Sequence, residues 1–227
     1  MNALAEAALL RAATTDSRND SHDASDNHGD NGGDNYCSRH GDSAHARVLA
    51  RLCAAVDAAL TACTTPGDPS RCPSFARDVR AALARAIAEP ALIEAAHREG
   101  GAQSYRRHLL AACPCGHYAV AALVWQPGHA SPVHAHHTWC GYAVHEGTLN
   151  ETLYAWDSAH EGARAVRTQR RASGDVAFGG RGRANIHRLS NDSGQPAISL
   201  HVYGVAADGI ATRVNDILPL ARSLATV

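Results

Sequence analysis

Two histidines separated by one residue are the first candidates for chemistry in this sequence. His134 and His136 stand in the stretch SPVHAH. On a β-strand this spacing turns both imidazoles to one face, where they can converge on a metal ion. Gly128 precedes the pair and Gly147 follows at the next turn, which makes the pattern more specific than an isolated pair in a chain with 15 histidines.

A second block, GDVAFGGRGRANIHRLSN, places His187 after a turn rich in glycine. Together the two blocks resemble the two sequence motifs of the cupin superfamily, in which a histidine pair from one strand and a distant histidine meet inside a β-barrel. Many cupins carry a glutamate after the pair, and Cys140 stands there instead. The resemblance therefore implies three neutral metal ligands, His134, His136 and His187. His137 and His145 are expected not to be ligands, and His129, which precedes the first strand of the motif, is left unassigned.

Three neutral ligands have a chemical consequence. A divalent ion held by three imidazoles keeps its double charge and, if octahedral, about three open positions. Such a centre favours an anionic ligand such as a thiolate and leaves a position for dioxygen. The alternative is that these histidines bind no metal and lie at the surface or in the core.

The stretch AISLHVYG contains a row of polar side chains. Ser199, His201 and Tyr203 alternate with Leu200 and Val202, so strand periodicity puts the three polar groups on one face. Inside a barrel they would need to hydrogen-bond one another and serve a site. The same pattern also suits a strand whose polar face lies in water, so both interpretations stay open.

With these pieces in place, the chain resembles the cysteine dioxygenase family, the thiol dioxygenases of the cupin fold. The resemblance extends from about residue 104 to residue 203 and depends on SPVHAH, NETLY, IHRLSN and SLHVY. It implies that the three histidines bind Fe(II) and that Ser199 and His201 tune the Tyr203 hydroxyl near the iron. The implied substrates are cysteine and O2, and the implied product is cysteine sulfinate.

The stretch SYRRHLL matches the Y-x-R element of this family and implies substrate-binding roles for Tyr105 and Arg107. A guanidinium group fits a carboxylate with two parallel hydrogen bonds. Arg106 alternates to the other face of the strand and is expected in solvent. The alternative for Arg107 is a surface charge on an edge strand.

The sequence departs from the family pattern at the cysteine that crosslinks to the catalytic tyrosine in animal members. That cysteine stands five positions after the second histidine of the pair. Here Cys140 comes one position early, and an ungapped alignment puts Gly141 at the crosslinking position. A thioether between Cys140 and Tyr203 is therefore an open alternative.

The choice of substrate is also open. Relatives that oxidise 3-mercaptopropionate usually carry glutamine where Arg107 stands, so the arginine favours cysteine. Arg213, in DGIATRVND, is an alternative carboxylate contact. A zinc cupin hydrolase or isomerase, or a non-catalytic sensor, are rival functions of other classes.

The elements that must position these residues follow from composition and periodicity. Residues 1–45 are polar and of low complexity, so we expect a disordered tail. Residues 46–101 show helical spacing of apolar side chains and predict a layer of two to three α-helices, the third within ALIEAAHREGG. Residues 102–227 show eight short runs of period two and predict an antiparallel, jelly-roll-like cupin β-barrel with the metal site.

Composition narrows the remaining classes. The balance of 21 basic and 22 acidic residues provides no concentrated basic patch, so we expect neither a nucleic-acid nor a membrane partner. The seven cysteines form no pair of CxxC motifs, and the first residues lack the pattern of a secretion signal. These features predict a reduced, cytoplasmic enzyme.

Overall fold

A computed structural model describes residues 43–64 and 66–221. The predicted tail, residues 1–45, lies outside the described residues except for its last three. Among the described helices, none combines the length and apolar character needed to cross a bilayer.

Two α-helices form the described N-terminal layer. Helix α1 covers Ala44–Ala62 and begins two residues before position 46, and α2 covers Pro73–Ile87. The predicted third helix is wrong, because two 3-10 turns, Pro90–Leu92 and Ala95–His97, take its place. The backbone is extended at Ile93, which lets that side chain and the preceding Leu92 both be buried.

Within the described residues, ten strands form two five-stranded antiparallel sheets. Their bounds are β1 Arg106–Ala112, β2 Ala119–Trp125, β3 His134–His136, β4 Cys140–Glu146, β5 Thr148–Asp157, β6 Gly162–Ala172, β7 Val176–Gly179, β8 Gly182–Ser190, β9 Ala197–Tyr203 and β10 Asn215–Ile217. The strand orders are β1-β2-β9-β4-β7 and β10-β3-β8-β5-β6. The prediction of a mainly β, antiparallel fold with an N-terminal helical layer is confirmed.

The central strands of the first sheet, β2 and β9, are buried on both sides. Alternate residues of β2 face the interior between the sheets (Ala121, Leu123, Trp125) or pack against the two helices (Val120, Ala122, Val124). All seven residues of β2 are buried, which is why its sequence reads as an unbroken apolar run. The helices thus cover one face of the sheet, and the other face forms a wall of the interior.

Candidate metal centre

The three histidines of the two sequence blocks meet inside the barrel. His134 and His136 occupy the two ends of β3, and His187 lies on the neighbouring strand β8, directly opposite His134 in register. One nitrogen of each ring lies within 4.8 Å of the others, and all three side chains are buried. The geometry is therefore that of a group that could hold a metal ion.

Hydrogen bonds fix which nitrogen of each ring faces the centre. Nδ1 of His134 donates to the Pro132 carbonyl at 2.9 Å, and Nδ1 of His187 donates to the Glu151 carboxylate at 2.8 Å. In both rings Nε2 therefore carries the lone pair that could bind a metal ion. This orientation is typical of metal-bound histidine. Nδ1 of His136 is buried and makes no hydrogen bond within the described part of the chain.

Burial favours the neutral form of two of these rings, His134 and His136. Burial, and after it the neighbouring His187, lowers the pKa of His134 to about 3. Burial holds the pKa of His136 well below its usual value, and the neighbouring His187 and His134 add to this effect. A neutral imidazole has a lone pair to give to a metal, so these residues are ready to ligate near neutral pH.

Glu151 is a further residue of this centre, and the sequence analysis assigned it no role beyond its place in NETLY. Its carboxylate accepts hydrogen bonds from His187 (2.8 Å), from Gln169 (2.7 Å) and twice from Arg171 (2.9 and 2.7 Å). Burial by itself raises the pKa of Glu151, but these partners lower it to about 2. The available signal was a glutamate on the same strand face as Leu149 and Leu153.

The polar row on β9 also lies in the interior. All seven residues of the strand are buried, so the alternative of a polar face in water is wrong. Trp125 Nε1 donates to Ser199 Oγ at 2.9 Å, and that hydroxyl lies 2.8 Å from His201 Nε2. The rings of His201 and Tyr203 stack with centroids 5.4 Å apart. The row is thus hydrogen-bonded at one end and stacked at the other.

Arg107 points inward although β1 is an edge strand. Its Nη1 donates to the Ile210 carbonyl at 2.9 Å, while its Nε is buried without a hydrogen bond to any described residue. The guanidinium carbon lies 5.7 Å from the ring centre of Tyr203 and 5.9 Å from that of Tyr105. Burial alone lowers the pKa of Arg107, but the two tyrosines raise it, so the group stays charged.

The neighbouring and alternative arginines lie elsewhere. Arg106 pairs with Glu99 at 2.9 Å and is partly exposed, as strand alternation predicts. Arg213 is exposed and is not among the described residues that line the interior cavities.

Register decides which residue faces Tyr203 across the sheet. Cys140 on β4 is its direct partner on β9, and both side chains pack in the interior cluster. A side chain added at Gly141 would instead contact Leu83 and Val79 of α2. The ungapped position is therefore outside the site. Burial raises the pKa of the Cys140 thiol well above its usual value.

Two cavities flank the histidines. The inner one, of about 20 Å³, is bounded by Tyr105, Arg107, Tyr203 and the three histidines, among others. The outer one, of about 160 Å³, shares His136, Cys140 and His187 with it and extends to the exposed Arg167 and Asn185. The outer cavity therefore extends from the buried histidines to exposed residues of β6 and β8.

The strand order and the buried histidine cluster define a cupin-type barrel with a site that could hold a metal ion. A family model, cysteine dioxygenase type I, matches residues 99–212. The chain belongs to this family.

Curated relatives share the same segment. The human cysteine dioxygenase type 1 is 30% identical over 95 residues, and the rat protein is 28% identical over 95 residues. Each match covers 41% of this chain and 48% of the relative, so the chain spans about half the length of the curated relatives it matches.

Solved structures give more distant likenesses. A protein from Thermus thermophilus is 20% identical with a TM-score of 0.39, covering 48% of this chain and 91% of that one. A cupin 2 conserved barrel domain protein from Salinispora arenicola is 22% identical with a TM-score of 0.35, covering 48% and 84%.

Proposed function

We propose that this protein is an Fe(II)-dependent thiol dioxygenase that converts L-cysteine and O2 to cysteine sulfinate. The observation that carries the proposal is that three buried histidines and the charged Arg107, whose Nε is buried, border one small cavity. A metal ion held by the histidines would bind the thiolate of the substrate. The guanidinium of Arg107 would bind the carboxylate at the other end of the same small molecule. Family membership supports the reaction type.

The histidines fit a divalent iron ion. Neutral imidazole ligands leave the ion its full charge and open positions. The buried His136 Nδ1, which has no hydrogen bond to any described residue, is the kind of atom that a polar site contains. When bound, iron supplies the activation of dioxygen and the binding of the thiolate. His134, His136 and His187 would hold it.

Arg107 would bind and orient the substrate carboxylate. Its guanidinium is desolvated, so an ion pair formed there is stronger than one at the surface. The buried Nε is free of other described partners and can donate to the carboxylate, while Nη1 is held by Ile210. The Arg107 side chain thus fixes one end of the substrate and places its sulfur toward the histidines.

Tyr203 would hold a proton next to the reacting groups. Burial raises the pKa of its hydroxyl well above the ordinary value despite the nearby Arg107, so the group stays an O–H donor at neutral pH. His201 stacks on its ring, and Ser199 fixes the orientation of His201. A hydroxyl oriented in this way can donate a hydrogen bond to the substrate without reorganisation during the reaction.

The test is oxygen uptake by the ferrous-loaded full chain with cysteine, together with identification of the sulfinate. Arg107→Ala should raise KM for cysteine by about 10- to 100-fold, the value of a hydrogen bond to a charged group. Arg106→Ala is the matched control, because that neighbour faces solvent and pairs with Glu99. His134→Ala should abolish iron retention and activity together.

Three outcomes would contradict the proposal. Equal KM values for the two arginine variants would remove the role of Arg107. Faster turnover of 3-mercaptopropionate than of cysteine would make that thiol the substrate. Zinc instead of iron in anaerobically purified protein, without oxygen uptake, would favour a zinc cupin hydrolase or isomerase.

A further inference from the structure

A second group of metal-ligating side chains lies outside the candidate centre. His45 is the second residue of α1, and Glu94 immediately precedes the 3-10 turn that ends at His97. One ligand atom from each of these three residues lies within 4.8 Å of the other two. None of them lines either interior cavity.

His45 is already oriented as a ligand. Its Nδ1 lies 2.8 Å from the Leu92 carbonyl and 3.3 Å from the Ala91 carbonyl. Carbonyl oxygens only accept hydrogen bonds, so Nδ1 carries the proton. Nε2 therefore has the free lone pair that could bind a metal ion. A backbone carbonyl behind the ring is a common arrangement that fixes the tautomer and direction of a metal-bound histidine.

His97 provides the second and independent observation. Its Nδ1 is buried and makes no hydrogen bond within the described part of the chain. Its ring centre lies 5.3 Å from that of His45 and 5.9 Å from that of His108 on β1. Burial, then the nearby His45 and His108, lowers the pKa of His97 below its usual value, so the ring is neutral near pH 7.

Glu94 supplies the charge that such a site needs. The start of α1 carries the positive end of the helix dipole, which by itself disfavours a cation. The α1 first turn contains no acidic residue, so an acidic ligand has to come from elsewhere. The exposed Glu94 carboxylate offsets both the dipole and part of the charge of a divalent ion.

We propose that His45, Glu94 and His97 form a second metal site, which binds a zinc ion and ties the start of α1 to the turn before β1. Two imidazole nitrogens, one carboxylate oxygen and one water give the tetrahedral set that zinc prefers. Ligands bound at about 2.1 Å lie roughly 3.4 Å apart, so small side-chain rotations from the present positions close the site.

The experiment uses the full chain carrying His134→Ala, which removes a ligand of the iron centre. Chelator-treated protein is titrated with Zn²⁺ against a weak competing chelator, which strips zinc from loosely binding histidines. One equivalent should bind, and X-ray absorption should show two imidazole ligands. Adding Glu94→Gln should weaken this zinc by at least about tenfold, while Glu161→Gln, on the distant β5–β6 turn, should not.

Glu94 is exposed, so its substitution tests the site without disturbing the core. Zinc should also raise the thermal midpoint of the His134→Ala protein by about 5 °C, and this shift should be lost with Glu94→Gln. The proposal is overturned if the competing chelator removes all zinc from the His134→Ala protein. It is also overturned if the proteins that carry Glu94→Gln and Glu161→Gln bind zinc equally well. Equal binding would place the ion elsewhere on the chain.

Discussion

At the scale of single residues, Glu151 is the side chain that most needs an explanation. It is 4% exposed, and an isolated buried carboxylate is strongly disfavoured. Arg171, Gln169 and His187 supply the donors that offset this cost. The arrangement resembles the carboxylate–histidine–metal pairs that orient ligands, so Glu151 is best interpreted as a positioning residue.

We expect Glu151→Gln to keep the shape of the side chain but lose the negative charge behind His187. Affinity for the metal should fall by about 10- to 100-fold, because the ring loses orientation and basicity. The measurement is metal retained after dialysis against graded chelator. Glu146→Gln is the control, since that glutamate is partly exposed and pairs with Arg98. Equal retention by the two variants would remove the role.

At the scale of elements, short strands are positioned by their neighbours. The three-residue strand β3 lies between β10 and β8, and this pairing brings His134 opposite His187. The turn from β4 to β5 fixes the register that directs Glu151 inward. Gly147 makes that turn at φ 76°, close to the backbone of Ala197.

Gly147→Ala should be markedly destabilising. A Cβ at this position would lie 2.8 Å from the Pro196 carbonyl oxygen and 2.9 Å from Ala197 Cα, and the positive φ adds strain. We expect a loss of about 2–4 kcal/mol in the free energy of unfolding, measured by denaturant titration.

Gly174→Ala is the matched control for this prediction. Gly174 also has a positive φ, of 96°, but nothing lies within 4 Å of its added Cβ. The Gly174→Ala protein should lose only the contribution of backbone conformation, about 1 kcal/mol of the free energy of unfolding. Equal losses in the free energy of unfolding for the two substitutions would show that the close approach of the Ala197 backbone to Gly147 does not affect stability.

At the scale of the whole molecule, the barrel buries several neutral histidines between its sheets. Burial lowers the pKa of His134 to about 3 and holds those of His136 and His201 well below their usual value. In the unfolded chain the same rings titrate near 6.5. Below that pH the unfolded chain therefore binds more protons than the folded one.

The metal-free protein should lose stability as the pH falls from 6.5 toward 3. Each such histidine contributes at most about 1.4 kcal/mol per pH unit, so the three together give up to about 4 kcal/mol per pH unit. Denaturant unfolding across this range measures the slope. His134→Ala should reduce it, whereas replacement of the exposed His117 should not. A flat profile would contradict the burial of neutral rings.

The sequence by itself determined what short-range spacing encodes. The period of two and the turn residues predict the strands. Strand alternation puts His134 and His136 on one face of their strand, and it puts Ser199, His201 and Tyr203 on one face of theirs. These predictions are possible because side-chain direction depends only on local backbone geometry. The site roles inferred from the family resemblance stay predictions.

Only the tertiary structure decided which strands pair and in what register, since that depends on contacts between residues distant in the chain. It brought His187 to the pair, set Cys140 rather than Gly141 opposite Tyr203, and buried Glu151 beside Nδ1 of His187. It also replaced the predicted third helix by two turns, because Leu92 and Ile93 both gain burial there. Helical propensity is a weaker term than burial of two large side chains.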